Sequence, residues 1–98
     1  MTDTDRDSRL KKLSFRSWRR GFREADLILG NFSDKFMADM TDAELDIYER
    51  LLNVPDQDLF GWIIGRSEEA PEHKSDILNK IKEFHKSVHV DVMAGKGA

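Results

Sequence analysis

Residues 40–52 read MTDAELDIYERLL and carry the clearest helix start in the chain. The hydroxyl of Thr41 can accept a hydrogen bond from the backbone of Glu44, and the Glu44 carboxylate can reach back to the backbone of Thr41. This reciprocal pair is a capping box, and the apolar residues beside it stand at the positions of a hydrophobic staple. The leucines and the tyrosine that follow keep helical spacing, so the stretch predicts a helix that ends at about Asn53.

Four further segments with helical spacing surround this helix. They run from about Asp7 to Arg20, from Phe22 to Met37, from Pro55 to a stop at Gly65, and onward from a start between Pro71 and Ser75. The second segment has the broadest apolar stripe, formed by Ala25, Ile28, Leu29, Phe32 and Phe36, although Gly30 weakens it locally. No segment alternates with the period of a half-buried strand. The sequence therefore predicts an all-α fold, a small array or bundle of five short helices.

The length suits a single domain over residues 1–98, with flexible ends expected at 1–6 and 91–98. Within the fourth helix, Asp56 is expected to act as the N-cap and Trp62 to lie in the core. Asp58 fits either a charge in the first turn of the helix or an ordinary surface position.

The net charge of −3 conceals a division along the chain. Residues 9–23 hold seven basic residues and no acidic one, whereas residues 24–98 carry a net charge of −8. The aromatic residues among these arginines could stack on bases while the arginines hold phosphates, so a small nucleic-acid-binding protein is an alternative function. Because the acidic remainder would repel a polyanion, this alternative is not favoured. The thin apolar face of the first helix also argues against stable membrane insertion.

Composition argues against catalysis by this chain alone. A chain of 98 residues has a small core and little room for a deep, closed pocket. It contains no cysteine, and its glycines do not form a phosphate loop with the required lysine. His85 and His89 have helical spacing, with Asp91 nearby, but a structural zinc site needs four ligands. Neither an enzyme nor a metal site is expected.

The expected location is a bacterial cytoplasm. The sequence has no apolar run long enough to span a membrane, and its acidic start is unlike a targeting segment. The absence of cysteine fits a reducing compartment.

Residues 19–26 read RRGFREAD and join the first two predicted helices. One interpretation is capping: the arginines end one helix, Gly21 takes the left-handed position after it, and Glu24 and Asp26 begin the next helix, each charge matching the helix dipole. The arginines exceed what a helix joint requires. Their planar guanidinium groups suit the carboxylates, carbonyls or phosphates of a partner, so the turn is also a candidate recognition site.

The stretch RGFRE at 20–24 resembles the Arg-Gly-x-x-Glu motif of the SdhE-type assembly factors. These are small helical proteins that promote covalent FAD attachment to the flavoprotein subunit of succinate dehydrogenase. Leu51-Leu52 and the block DQDLFGW at 56–62 are similar to a second conserved block of that family. Two blocks at a suitable separation are more specific than the short motif alone, and the similarity covers about residues 9–85. Ala25 departs from the family, which often has a larger residue there.

The resemblance implies a protein partner rather than a substrate. That partner is the flavoprotein subunit of succinate dehydrogenase, with fumarate reductase as a further candidate client. FAD is then the cofactor of the partner, and no cofactor is assigned to this chain. Arg20 and Glu24, on either side of the Gly21 turn, are expected to make the central contacts. The residues that the resemblance assigns to partner binding are Arg19, Arg20, Gly21, Arg23, Glu24 and Asp26.

Overall fold

The structure, a computed structural model, describes the backbone of residues 3–96 and the side chains of residues 5–88. Its α-helices are α1 (Asp3–Ser17), α2 (Arg23–Phe36), α3 (Asp42–Leu52), α4 (Asp56–Ile64) and α5 (Asp76–Lys96). One-turn 3-10 helices at Met37–Asp39 and Pro71–His73 follow α2 and precede α5. The described residues form no β-strand, so the predicted all-α fold with five helices is confirmed.

Local signals explain where α3 begins and where α4 ends. Thr41 Oγ1 accepts a hydrogen bond from the Glu44 N–H at 3.1 Å, and Glu44 Oε1 accepts one from the Thr41 N–H at 2.9 Å. The predicted capping box is therefore present. Gly65 follows α4 with a φ of +82°, the left-handed conformation that glycine adopts without strain, as predicted.

Three predicted helix boundaries are wrong, and one of them is the start of α1, which lies at Asp3 rather than at about Asp7. The first helix ends at Ser17 rather than Arg20. Beyond that end the Arg20 guanidinium folds back to the carbonyl oxygen of Arg16, one of the carbonyls that a helix end leaves without an intrahelical partner. At the start of α4, Pro55 occupies the N-cap position that was predicted for Asp56. The Asp56 carboxylate forms an ion pair with Arg20 instead.

The core lies between α2, α3 and α5, with α1 and α4 packed against it. Phe32 is fully buried, and its ring centroid lies 5.1 Å from that of Phe36, 5.8 Å from Tyr48 and 5.8 Å from Phe84. The predicted stripe of α2 is confirmed, and Trp62 lies in the core as predicted. Other buried members are Leu13, Leu29, Met37, Met40, Leu45, Leu51, Leu52, Val54, Leu59, Ile63, Ile77, Leu78 and Ile81.

Ion pairs on the surface attach α1 to α3. Arg6 lies 3.1 Å from Asp42, and Arg9 lies 2.6 Å from Asp46 and 3.1 Å from Glu49. The hydrogen bond to Asp46 raises the pKa of Arg9 above its ordinary value. The charge of Arg9, one of the basic residues of 9–23, is therefore balanced by two acidic residues of α3 at the surface.

The longest helix is α5, with 21 residues. Among the described residues, no helix combines the length and the apolar character needed to cross a membrane. The flexible ends predicted at 1–6 and 91–98 overlap α1 and α5, which extend to Asp3 and Lys96. Residues 1–2 and 97–98 lie outside the described residues, so flexible ends remain a prediction.

Candidate functional site

Arg20 is the centre of the turn between α1 and α2, and its side chain points into the protein. Only 8% of that side chain is exposed. Its Nη2 atom donates to the carbonyl oxygen of Leu52 at 2.7 Å and lies 2.7 Å from Asp56 Oδ1, while Nη1 donates to the carbonyl oxygen of Arg16 at 3.3 Å. The Nε atom is buried without a hydrogen-bond partner among the described residues. One guanidinium group therefore joins the ends of α1 and α3 to the start of α4.

Gly21 lies directly against the same carboxylate. Its φ is +150°, a conformation that favours glycine. The sequence predicts Gly21 at the left-handed position directly after the first helix, but α1 ends at Ser17 and Gly21 lies further along the turn. A Cβ atom at Gly21 would lie 2.6 Å from Oδ2 of Asp56. Both the backbone conformation and the neighbouring side chain therefore require glycine here.

Two more contacts hold the turn from the α2 side. The carboxylate of Asp26 accepts a hydrogen bond from the backbone N–H of Arg20. The ring of Phe22 meets the ring of Phe60 edge to face, with centroids 5.0 Å apart, and the Arg66 guanidinium lies 5.9 Å from the Phe60 centroid. The turn is thus fixed to α2 and α4 as well as to α3.

Four of the predicted site residues are exposed together around this turn. We call Arg19, Gly21, Arg23 and Glu24 the turn surface. The side chains of Arg23 and Glu24 form no hydrogen bond or ion pair with the rest of the described chain. Arg19 lies 4.4 Å above the ring of Phe15, which is 60% exposed. The turn surface offers charged groups of both signs next to an exposed aromatic ring.

The turn surface differs from the predicted set in two members. Arg20 and Asp26 belong to the turn, but their charged groups are engaged within the protein. Sequence reasoning missed the exposure of Phe15, for which the only signal was its place outside the apolar face of α1. It also missed the pairing of Arg20 with Asp56, since nothing local in the sequence relates these two positions.

Outside the turn, the sequence raised a possible metal site at the end of α5, and the structure has a groove beside α4. No group of three or more potential metal ligands occurs among them, and the side chains of His89 and Asp91 lie outside the described part. A groove of about 470 Å³ lies beside the end of α4 and is lined in part by Trp62, Arg66 and Lys82. Lys82 donates to Glu69 at 3.0 Å, which lowers the pKa of that carboxyl. No residue of the turn surface lines this groove.

A family model described as flavinator of succinate dehydrogenase matches residues 11–85. The chain belongs to this family. The matched segment contains the whole turn surface and α4, so the resemblance seen in the short motif extends over most of the described chain.

Curated relatives carry the name succinate dehydrogenase assembly factor 2, mitochondrial. The protein from Dictyostelium discoideum is 35% identical over 77 residues, which are 79% of this chain and 55% of the relative. The protein from Candida glabrata is 35% identical over 82 residues, which are 80% of this chain and 54% of the relative. The protein from Yarrowia lipolytica is 31% identical over 91 residues, or 89% and 63%. The chain spans about half the length of the curated relatives it matches.

These names correct one expectation from the sequence. The relatives come from eukaryotes and are named as mitochondrial proteins, which contradicts the expected bacterial cytoplasm. The comparisons also give no support to the alternative of a nucleic-acid-binding protein. Membership of an assembly-factor family is consistent with a chain that acts on another protein.

Proposed function

We infer that this protein is an assembly factor that binds the flavoprotein subunit of succinate dehydrogenase and promotes covalent attachment of FAD to that subunit. The observation that carries this proposal is the coincidence of two features. The family match covers residues 11–85, and the Arg-Gly-x-x-Glu motif within it forms a turn whose exposed residues have few contacts of their own. FAD is the cofactor of the partner, and fumarate reductase is a further candidate client.

Within the motif, the residues divide into two roles. Arg19, Gly21, Arg23 and Glu24 meet the partner, because their groups face solvent. Arg20 and Asp26 give the turn its shape from inside, because the Arg20 side chain is 8% exposed and Asp26 bonds to its backbone. An exposed glycine lets the partner approach the backbone closely.

Binding of this kind accelerates flavin attachment without a catalytic group on this chain. Only contacts that are stronger in the reactive arrangement of the partner than in its resting arrangement lower the barrier. The factor therefore has to favour one arrangement of the flavoprotein subunit, and a rigid surface does this better than a mobile one. The turn, held by α1, α2, α3 and α4, meets that requirement.

The test is a flavinylation assay with purified components. Flavoprotein subunit without covalent flavin is incubated with FAD and this protein, and flavin fluorescence is measured on the denatured subunit. We expect the wild type to accelerate flavin attachment. Glu24→Ala should bind the subunit about tenfold more weakly or worse, as for a residue at the centre of an interface, and should therefore accelerate flavin attachment less. The thermal stability of Glu24→Ala should stay close to that of the wild type.

The matched control is Glu83→Ala, which removes an exposed glutamate of α5 that is not part of the turn surface. It should bind and accelerate like the wild type. If Glu24→Ala is as active as Glu83→Ala, the turn surface is not the partner site. If the wild type does not accelerate flavin attachment, the proposed function itself is wrong.

A further inference from the structure

We propose that Asp56, at the start of α4, is a positioning residue for partner binding, which acts by holding Arg20 and Gly21 in place beneath the turn surface. The proposal rests on the function proposed above and adds a residue that lies outside the Arg-Gly-x-x-Glu motif. It is carried by the contacts of one carboxylate, whose two oxygen atoms meet two successive residues of the turn.

The first contact is the ion pair with Arg20. Asp56 Oδ1 lies 2.7 Å from Nη2 of Arg20, the same atom that donates to the Leu52 carbonyl at 2.7 Å. Because the arginine side chain is almost entirely buried, removal of the carboxylate would leave its charge inside the protein without the matching counter-charge. The guanidinium of Arg20 would then be better solvated if it moved toward water, and the backbone of the turn would move with it.

The second contact is with Gly21. A Cβ atom on this glycine would lie 2.6 Å from Asp56 Oδ2, so the carboxylate occupies the space that a side chain at this position of the turn would need. Gly21 is exposed on its other side and belongs to the turn surface. The carboxylate of Asp56 therefore positions the exposed backbone of Gly21, which the partner meets, as well as the side chain of Arg20.

Asp58 is a close control for the electrostatic effects of Asp56. Both residues lie in the first turn of α4, where a negative charge interacts favourably with the helix dipole. Asp58 is exposed and takes part in no ion pair among the described residues, whereas Asp56 holds the turn. Substitution of either aspartate by asparagine removes one negative charge from this helix end. Only substitution of Asp56 also removes the contact that positions the turn.

The experiment compares Asp56→Asn with Asp58→Asn in the full chain. Amide hydrogen exchange of residues 19–24 measures the turn without any partner, because local opening exposes its amides. Titration with the flavoprotein subunit, at a temperature where both variants are fully folded, measures affinity. We expect faster exchange and about tenfold weaker binding for Asp56→Asn only. Arg20→Lys cannot reproduce the planar fork of arginine, so its exchange at 19–24 and its affinity should lie between those of the wild type and Asp56→Asn. This variant replaces Asp56→Asn in the experiment if Asp56→Asn does not fold.

A double-mutant cycle separates positioning from a general loss of stability. If Asp56 acts through the turn surface, Asp56→Asn should cost less affinity in a Glu24→Ala background than in the wild type. Unchanged exchange at 19–24, or unchanged affinity in the folded Asp56→Asn variant, would overturn the proposal. Failure of the wild type to bind the flavoprotein subunit would instead refute the proposed function, and the exchange measurement would still decide whether Asp56 holds the turn.

Discussion

Gly30 is a glycine because the indole ring of Trp18 occupies the space where a Cβ atom would lie. The sequence suggested only that this glycine weakens the second helix, yet α2 runs through it without a break. The indole Nε1–H also donates to the carboxylate of Asp34 at 3.3 Å. The missing side chain thus serves the packing of Trp18 against α2, and that packing holds the end of α1 next to the turn.

Gly30→Ala should destabilise the protein although alanine is the better helix former. Its propensity favours the helix by about 1 kcal/mol, but overpacking against a ring costs about 1–3 kcal/mol. We expect a net loss of about 1 kcal/mol in the free energy of unfolding, measured by urea denaturation followed by circular dichroism.

The matched background for this prediction is Trp18→Ala. With the indole removed, the added methyl group has space, so Gly30→Ala should raise the stability of the Trp18→Ala protein by about 1 kcal/mol. A change of sign between the two backgrounds identifies the ring contact as the cause. The same sign in both backgrounds would show that the contact with Trp18 does not explain this glycine.

At the scale of the helices, α3 has the strongest signal of its own, the capping box formed by Thr41 and Glu44. Thr41→Ala should lower the free energy of unfolding by about 1 kcal/mol, because it leaves the Glu44 N–H without its acceptor. Thr41→Ser retains the hydroxyl and should stay close to the wild type. The measurement is urea denaturation of both variants, and equal losses in the two would show that the hydroxyl does not cap α3.

The helices show why some features could be predicted and others could not. The start of α3 and the stop at Gly65 depend on residues within one helical turn, so they are visible in the sequence. The end of α1 and the inward direction of Arg20 depend on partners such as Leu52, which is 32 residues away in the chain. Nothing in the spacing of residues 19–26 distinguishes an arginine that faces a partner from one that meets Asp56.

At the scale of the whole molecule, folding redistributes the charge that divides the sequence. Arg9 and Arg20, two of the seven basic residues between 9 and 23, form ion pairs with carboxylates of α3 and α4. Arg19 and Arg23 keep their charges at the turn surface. The turn surface therefore combines two exposed arginines with the exposed Glu24, and this mixture of charges suits a protein surface of mixed charge better than a polyanion.

Tyr48 connects three helices at the centre of the molecule. It lies on α3 and is fully buried, and its hydroxyl shares a hydrogen bond of 2.6 Å with Ser17 Oγ of α1 and donates to the Leu29 carbonyl of α2 at 3.4 Å. Burial raises the pKa of this phenol from 10.0 to about 12, while the hydrogen bond with Ser17 opposes the shift. The ionised side chain is therefore incompatible with this junction.

Alkaline pH should destabilise the whole protein through Tyr48. Below pH 10 the phenol is neutral in both states. Between pH 10 and about 12 it ionises only in the unfolded chain, so the folded state binds more protons and the free energy of unfolding falls as pH rises, by about 1.4 kcal/mol per pH unit. Because Tyr48 is the only tyrosine, tyrosinate absorbance reports on it alone and should rise together with the loss of helical circular dichroism. Tyr48→Phe should lack this contribution to the pH dependence, whereas ionisation near pH 10 with the helices intact would contradict the buried hydroxyl.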